Sequence, residues 1–160
     1  MDKLMVLPEP VMLDDNTTMI MTTFDDLSAE EYAGIIDISM PYLSNDEVSL
    51  DEMVDLINES YHIPYIILVL RDNTPIAFAL FAKADVNVTE YEAYQLYLII
   101  SSVKRQYIGS VMIEFMMNTL LQNQVEETAV IVQSTEEAVP FYQQNDFVEV
   151  VPYNFYRLII

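Results

Sequence analysis

LYLIISSVKRQYIGSVMIEFM, residues 96–116, changes its period halfway along. Its first half continues AYQLYLII (93–100), an apolar run of the kind that forms a central strand. In its second half Ile108, Val111, Met112 and Phe115, with Thr119 beyond, recur at the spacing of one helical face. Between the two lies a turn carrying Lys104, Arg105, Tyr107, Gly109 and Ser110. Strand, turn and helix in that order place successive backbone N–H groups at the positive end of the helix dipole. An anion such as a pyrophosphate can be held there if no side chain blocks its approach. Gly109 suits a backbone that must take a positive φ or touch a ligand, and Lys104 and Arg105 bring two of the chain's six cations to the same turn. Tyr107 is discordant: it adds bulk where the anion would sit, and a left-handed backbone there costs roughly 1–2 kcal/mol.

Before this stretch, YIILVLRDNTPIAFALFAKA (65–84) reads as an antiparallel hairpin turning at Asp72, Asn73, Thr74 and Pro75. DVNVTE (85–90) reads as a polar connector, and TTMIMTTF (17–24) as the first strand. Ser28 with Glu31 has the capping-box pattern and opens a helix through about Met40. Either Ser44 with Glu47 or Ser49 with Glu52 opens a second, which ends before Pro64. Downstream, TAVIVQ (128–133) is another buried strand, and Ser134 with Glu137 caps a short helix to about Gln144 that Pro140 should bend. FVEVV (147–151) and NFYRLII (154–160) close the chain as strands. No repeat or linker divides it, so residues 1–160 are expected to form one domain of the α/β (α+β) class.

Composition narrows the field. With 52% hydrophobic residues, seven Phe and eleven Tyr, the chain can bury a core despite its charge. It has no Cys, which excludes disulfides and thiolate metal sites, and one histidine, His62, best read as a turn or core residue, so no metal is expected. No leader pattern and no apolar run of membrane-spanning length is present, so a cytoplasmic location is expected, in a host cell if the chain is phage-encoded. The net charge is −20, and it is unevenly placed: residues 4–70 carry fourteen acids and no Lys or Arg. Such a field repels nucleic acid and anionic membranes and draws cations or basic proteins. Asp51, Asp55 and Glu59 fall every four residues on one helical stripe, with neighbours about 6 Å apart, and Asp46, Glu47 and Glu52 extend it. Asp25, Asp26, Glu30 and Glu31 add to the same acidic half. Like charges at that spacing cost a few tenths of a kcal/mol where Lys would have helped, which asks for a cause.

Three segments in order, RDNTPIAFALF (71–81), LYLIISSVKRQYIGSVMIEFM (96–116) and VQSTEEAVPFYQQNDFVEV (132–150), resemble the Gcn5-related N-acetyltransferase family. The resemblance implies one domain with a mixed, mostly antiparallel sheet of about seven strands flanked by about four helices. It also implies an acyl-CoA turn of the form Arg/Gln-x-x-Gly-x-Gly/Ala. Lys104, Tyr107 and Gly109 occupy its defining positions, and Arg105 and Ser110 lie beside them. Tyr142 matches the tyrosine that many members use to protonate the departing thiolate, although Phe141 and Tyr142 also suit plain core packing. Thr135, Glu137 and Asp146 stand where the family often has Asn, Ala and Gly. No acid or histidine lies on LYLII, leaving Glu92 or a bound water as general base.

Two functions fit these features. The departures from the family turn, set beside the acidic half, lead us to expect a catalytically degenerate acetyltransferase-like fold without a cofactor. In this reading it is a DNA-mimicking inhibitor of the kind phages use against restriction and related defence. Asp46, Glu47, Asp51, Glu52, Asp55 and Glu59, with Asp25, Asp26, Glu30 and Glu31, would then replace phosphates on the basic surface of a nucleic-acid-binding partner. The alternative is an acetyl-CoA-dependent N-acetyltransferase acting on a cationic amine such as a polyamine or a Lys-rich protein. Apolar NFYRLII suggests homodimerisation through the C-terminal strand.

Overall fold

The computed structural model describes residues 3–43, 49–88, 91–103, 107–123 and 128–159. Eight strands form one sheet: β1 (Val11–Asp14), β2 (Thr17–Thr23), β3 (Tyr65–Arg71), β4 (Thr74–Val88), β5 (Tyr91–Ser101), β6 (Thr128–Gln133), β7 (Val148–Val151) and β8 (Asn154–Ile159). Four helices flank it: α1 (Ala29–Leu43), α2 (Leu50–Glu59), α3 (Ile108–Gln122) and α4 (Val139–Gln144). The sheet order is β1-β2-β3-β4-β5-β6-β8-β7, antiparallel except where β5 runs parallel to β6.

This is the mixed α/β architecture expected, with one strand more. The added strand is β1, whose four residues are mostly exposed and show no alternation to betray them. The polar segment after Ala84 is not a connector, since β4 runs on to Val88 and pairs with the start of β5. β8 is covered on both sides, by β6 and β7, so NFYRLII is interior and the exposed edge is β7 instead.

Two cores lie on the two faces of the sheet. Under α1 and α2, Ile35, Ile38, Leu50, Val54 and Ile57 pack on Ile66, Leu68, Phe78 and Leu80. Under α3 and α4, Met112, Met116, Met117 and Leu120 pack on Ile67, Phe81, Leu96 and Val130. Burying each such side chain contributes about 1.5–3 kcal/mol. The only two glycines mark close approaches rather than unusual backbone, for neither has positive φ. A Cβ on Gly34 would lie 2.5 Å from Pro75 Cγ, and one on Gly109 would lie 2.9 Å from the Phe141 ring.

The starts of α1 and α2 follow local rules. Ser28 and Glu31 form a reciprocal capping box, with N–H to oxygen distances of 2.9 and 3.0 Å. Ser49 Oγ accepts from Glu52 N–H at 3.2 Å, so of the two proposed caps it is Ser49 that opens α2; Ser44, Asp46 and Glu47 lie outside the described residues. The expected cap of α4 is not formed. Ser134 turns back to the Thr135 carbonyl, Ala138 is the N-cap residue, and Pro140 sits in the first turn, where a missing N–H costs no helical bond.

Candidate active site

β5 and β6 run side by side from Glu92 opposite Thr128 to Leu96 opposite Val132, and then part. β5 continues to Ser101 with nothing paired on that side, leaving a fork in the sheet. At the fork Tyr97 is an extra residue in the ladder, because Leu98 faces Leu80 while Leu96 faces Phe81. Such bulges turn a strand aside and are common next to active sites. Between this end of β5, the start of α3 and α4 lies a cleft of about 400 Å³, lined among others by Ile99, Ser101, Val103, Tyr107, Gly109, Ser110 and Tyr142. Tyr42, from the end of α1, reaches the same cleft.

The turn before α3 is built differently from the starts of α1 and α2. Tyr107 is its N-cap residue, in the left-handed region at φ 57°, and supplies no capping bond. No acid lies in the first turn of α3, whereas α1 has Glu30 and Glu31 there and α2 has Asp51 and Glu52. The first N–H groups of a helix have no partner within it, so those of Ile108, Gly109 and Ser110 face the cleft end with an unneutralised dipole. The Tyr107 ring is 82% exposed, so its bulk lies in solvent rather than packed in the turn. Its cost is therefore the backbone strain, roughly 1–2 kcal/mol. Gly109 serves helix packing against Phe141 and needs no positive φ. Lys104 and Arg105 lie outside the described residues.

Tyr142 is buried, 6% exposed, with its ring against Phe141, Phe147 and Phe155. The expected core packing is there, and Tyr142 also lines the cleft. Its hydroxyl has no hydrogen-bond partner among the described residues, and burial pushes its pKa up to about 12. The cleft lining holds hydroxyls, the Gln144 carboxamide and apolar groups but no carboxylate or imidazole among the described residues. Glu92 is not available as a base here, since it pairs with Lys83 at 3.2 Å near the opposite end of β5. Seven residue-to-residue steps along the strand separate it from Ile99, about 23 Å. His62 is engaged elsewhere, with Nε2 2.7 Å from Asp85 Oδ1. Among the described residues no group of three metal-ligating side chains converges.

On the other face, Asp51, Glu52, Asp55 and Glu59 are all exposed on α2. Asp51 is the least free of them: the Tyr32 hydroxyl donates to its carboxylate at 2.8 and 2.9 Å, which ties α1 to α2 and raises the tyrosine's pKa. Asp26 accepts from Thr23 Oγ1 at 3.0 Å, and Glu31 belongs to the capping box. No ion pair to a cation forms at Glu52, Asp55 or Glu59 among the described residues.

Sequence reasoning missed Tyr42, the bulge at Tyr97 and the role of Phe141. One signal was available for the last: a lone glycine in a helical pattern marks a close approach.

No family model matches the chain, and no curated protein matches it. Solved structures do. An aminoglycoside acetyltransferase from an uncultured soil metagenomic sample shares 17% identity, with 88% of this chain and 95% of that one covered and a TM-score of 0.64. An acyl-CoA N-acyltransferase from Pseudomonas aeruginosa gives 13% identity, 87% and 98% coverage and a TM-score of 0.65. A mutant AtaT toxin, bound to the C-terminus of the antitoxin AtaR and acetyl-CoA, gives 14% identity, 91% and 94% coverage and a TM-score of 0.61. The chain has the fold of the Gcn5-related acetyltransferases. At these identities the likeness speaks for the fold alone.

Proposed function

We propose that the chain is an acyl-CoA-dependent N-acyltransferase whose acceptor is a cationic amine, such as a polyamine or a Lys-rich protein tail. The observation that carries this is the conjunction at the fork. The uncapped, acid-free start of α3 and the unpartnered Tyr142 hydroxyl meet in one cleft. The fold neighbours favour the same reading, since one of them is bound to acetyl-CoA. The residues present fit that molecule: the N–H groups of Ile108, Gly109 and Ser110 would hold its diphosphate, and Ile99, Val103 and Met112 would line its apolar arm. Bound there, acyl-CoA supplies an acyl group activated as a thioester.

The chain's own contribution is positioning and one proton. Tyr142 keeps its proton across the neutral range because burial raises its pKa to about 12. Its hydroxyl is thus a donor for charge building on a departing sulfur, not a base. With no carboxylate or imidazole in the cleft among the described residues, the acceptor's proton passes to solvent and the neutral amine is the reacting form. Glu52, Asp55 and Glu59 would gather cationic acceptors near the cleft, whose rim α1 shares through Tyr42.

A thiol-release assay with acetyl-CoA and a panel of polyamines and Lys-rich peptides tests this. Amine-dependent release is expected, growing with pH toward the amine's own pKa, about 10.4 for a lysine.

A second reading rests on the acidic face alone. Glu52, Asp55 and Glu59 would imitate phosphates and occupy the basic groove of a nucleic-acid-binding protein, with no chemistry. Salt-sensitive capture of such a protein, with neither acetyl-CoA binding nor turnover, would establish it instead. That one fold neighbour is bound to a protein partner gives general support for protein binding.

A further inference from the structure

The chain has a single histidine, and it lies outside the cleft. His62 stands three residues past the end of α2, and its Nε2 is 2.7 Å from Asp85 Oδ1 on β4. The imidazole is 14% exposed and the carboxylate 69%, so the histidine is tucked in while its partner stays in water and keeps its charge. Asp85 falls in the irregular stretch of β4 between Ala84 and Asn87, where the register to β5 shifts. The contact thus ties the end of a helix to a break in the sheet.

The turn beside it is strained. After Glu59 the backbone closes on α2 through Tyr61 N–H to the Asn58 carbonyl at 3.0 Å and His62 N–H to the Ile57 carbonyl at 3.1 Å. This puts Tyr61 in the left-handed region at φ 62°, a place usually given to glycine or asparagine. Tyr61 is 91% exposed, so its ring gains little packing to offset the strain. The side chain of the next residue is what fastens the turn to the sheet.

That fastening depends on a proton. It is an ion pair while the imidazole is protonated and one neutral hydrogen bond when it is not, and an unperturbed imidazole changes state near about pH 6.5. Partial burial opposes the charged form. Favouring it are the carboxylate in contact, the negative end of the α2 dipole, and Glu59 as the last residue of α2, within a stretch that has no Lys or Arg. On β4, Lys83 is taken by Glu92 at 3.2 Å. On β5, Tyr97 feels the same carboxylate: burial first and then Asp85's charge raise its pKa, which keeps it neutral here. Among these groups the imidazole is the one whose charge changes between about pH 5 and 8.

We propose that His62 and Asp85 form a proton-operated latch. Proton uptake by His62 fastens the last turn of α2, and the strained turn after it, to β4; proton loss as pH rises through neutrality loosens them. The latch holds the end of the helix that carries Glu52, Asp55 and Glu59. The inference does not rest on acyl transfer. With a carboxylate partner the folded chain holds this proton more tightly than the unfolded chain. The stability it adds is therefore complete below about pH 6.5 and is lost as pH rises through the folded midpoint.

Proton NMR of the untagged chain tests this, because one histidine gives one titrating imidazole. Its midpoint should lie above about 6.5, and the amide signals of Tyr61, His62 and Asp85 should shift with it. Asp85→Asn should lower that midpoint by at least about half a pH unit. His62→Gln can keep a hydrogen bond to Asp85 but takes no proton. The urea midpoint of the unaltered chain should therefore exceed that of His62→Gln by more at about pH 5.5 than at about pH 8.5. An imidazole midpoint at or below about 6.5, or one that Asp85→Asn leaves in place, would overturn the proposal. So would a urea difference that is the same at both pH values.

Discussion

The two faces of the sheet treat helix ends in opposite ways. On the α1/α2 face each helix begins with a serine cap and two acids in its first turn, and the dipoles are met. On the α3/α4 face α3 begins at a strained tyrosine, with no cap and no acid, in a chain that has 26 acids to place. Abundant acid is withheld from both helix starts of this face, only a sheet's thickness from where it is concentrated. Natural sequences break local rules mainly where function requires it, which is why the proposed function is placed at the cleft, with the acidic face as its surroundings.

The comparison yields expectations of decreasing size. Tyr142→Phe removes a cleft hydroxyl that has no hydrogen-bond partner among the described residues and should lower kcat about 100-fold, the lower range for losing a positioned proton donor. It should leave acetyl-CoA affinity nearly unchanged, because the ring packing stays. The same variant separates another effect. Folded Tyr142 titrates near 12 and an unfolded tyrosine near 10.0. Between those values the unfolded state releases the proton first, so stability present below pH 10 is lost as pH rises toward 12. The full loss amounts to about 2–3 kcal/mol above pH 12 and roughly half of it falls between pH 9 and 11, so Tyr142→Phe should remove about 1.4 kcal/mol of the alkaline loss in denaturant titrations at those two pH values.

Gly109→Ala sets a Cβ 2.9 Å from the Phe141 ring. Overpacking of this kind costs about 1–3 kcal/mol, so a lower Tm is expected together with weaker acyl-CoA binding, since α3 and α4 both line the cleft. On the other face, replacing Glu52, Asp55 and Glu59 together by Gln, Asn and Gln should raise KM for a cationic acceptor severalfold at low salt. The change should fade at high salt and leave affinity for acetyl-CoA alone. Ser49→Ala should cost about 1 kcal/mol of stability by removing a cap, with no change in turnover, since α2's start is a structural feature only.

What was legible in the sequence was local. Ser28 with Glu31 and Ser49 with Glu52 act over three residues, and the apolar runs of β3, β4 and β5 announce themselves, so the order of elements followed. β1 was not legible because VMLD lacks alternation, and the length of β4 was not because its polar end is held by pairing rather than by propensity. At the candidate site, Gly109 was singled out by its pattern and Tyr142 by the family resemblance. Their reasons were not legible, because Phe141 meets Gly109 across two helices and burial alone sets the titration of Tyr142. Tyr107 was read as an obstruction, and a sequence does not show how far its side chain is exposed to solvent.

The central claim is that α3's start is left bare to hold an anion, and one substitution sets stability against binding. Ser110→Glu places an acid in the first turn of α3, as α1 and α2 already have. The helix should gain about 0.3–1 kcal/mol from it, while the anion site is closed by like charge. Titration calorimetry of acetyl-CoA into both proteins at about 0.1 M salt should show micromolar binding by the unaltered chain. Ser110→Glu should bind at least tenfold more weakly, with a Tm that is equal or higher. No binding by the unaltered chain, or equal binding by both, would contradict the account.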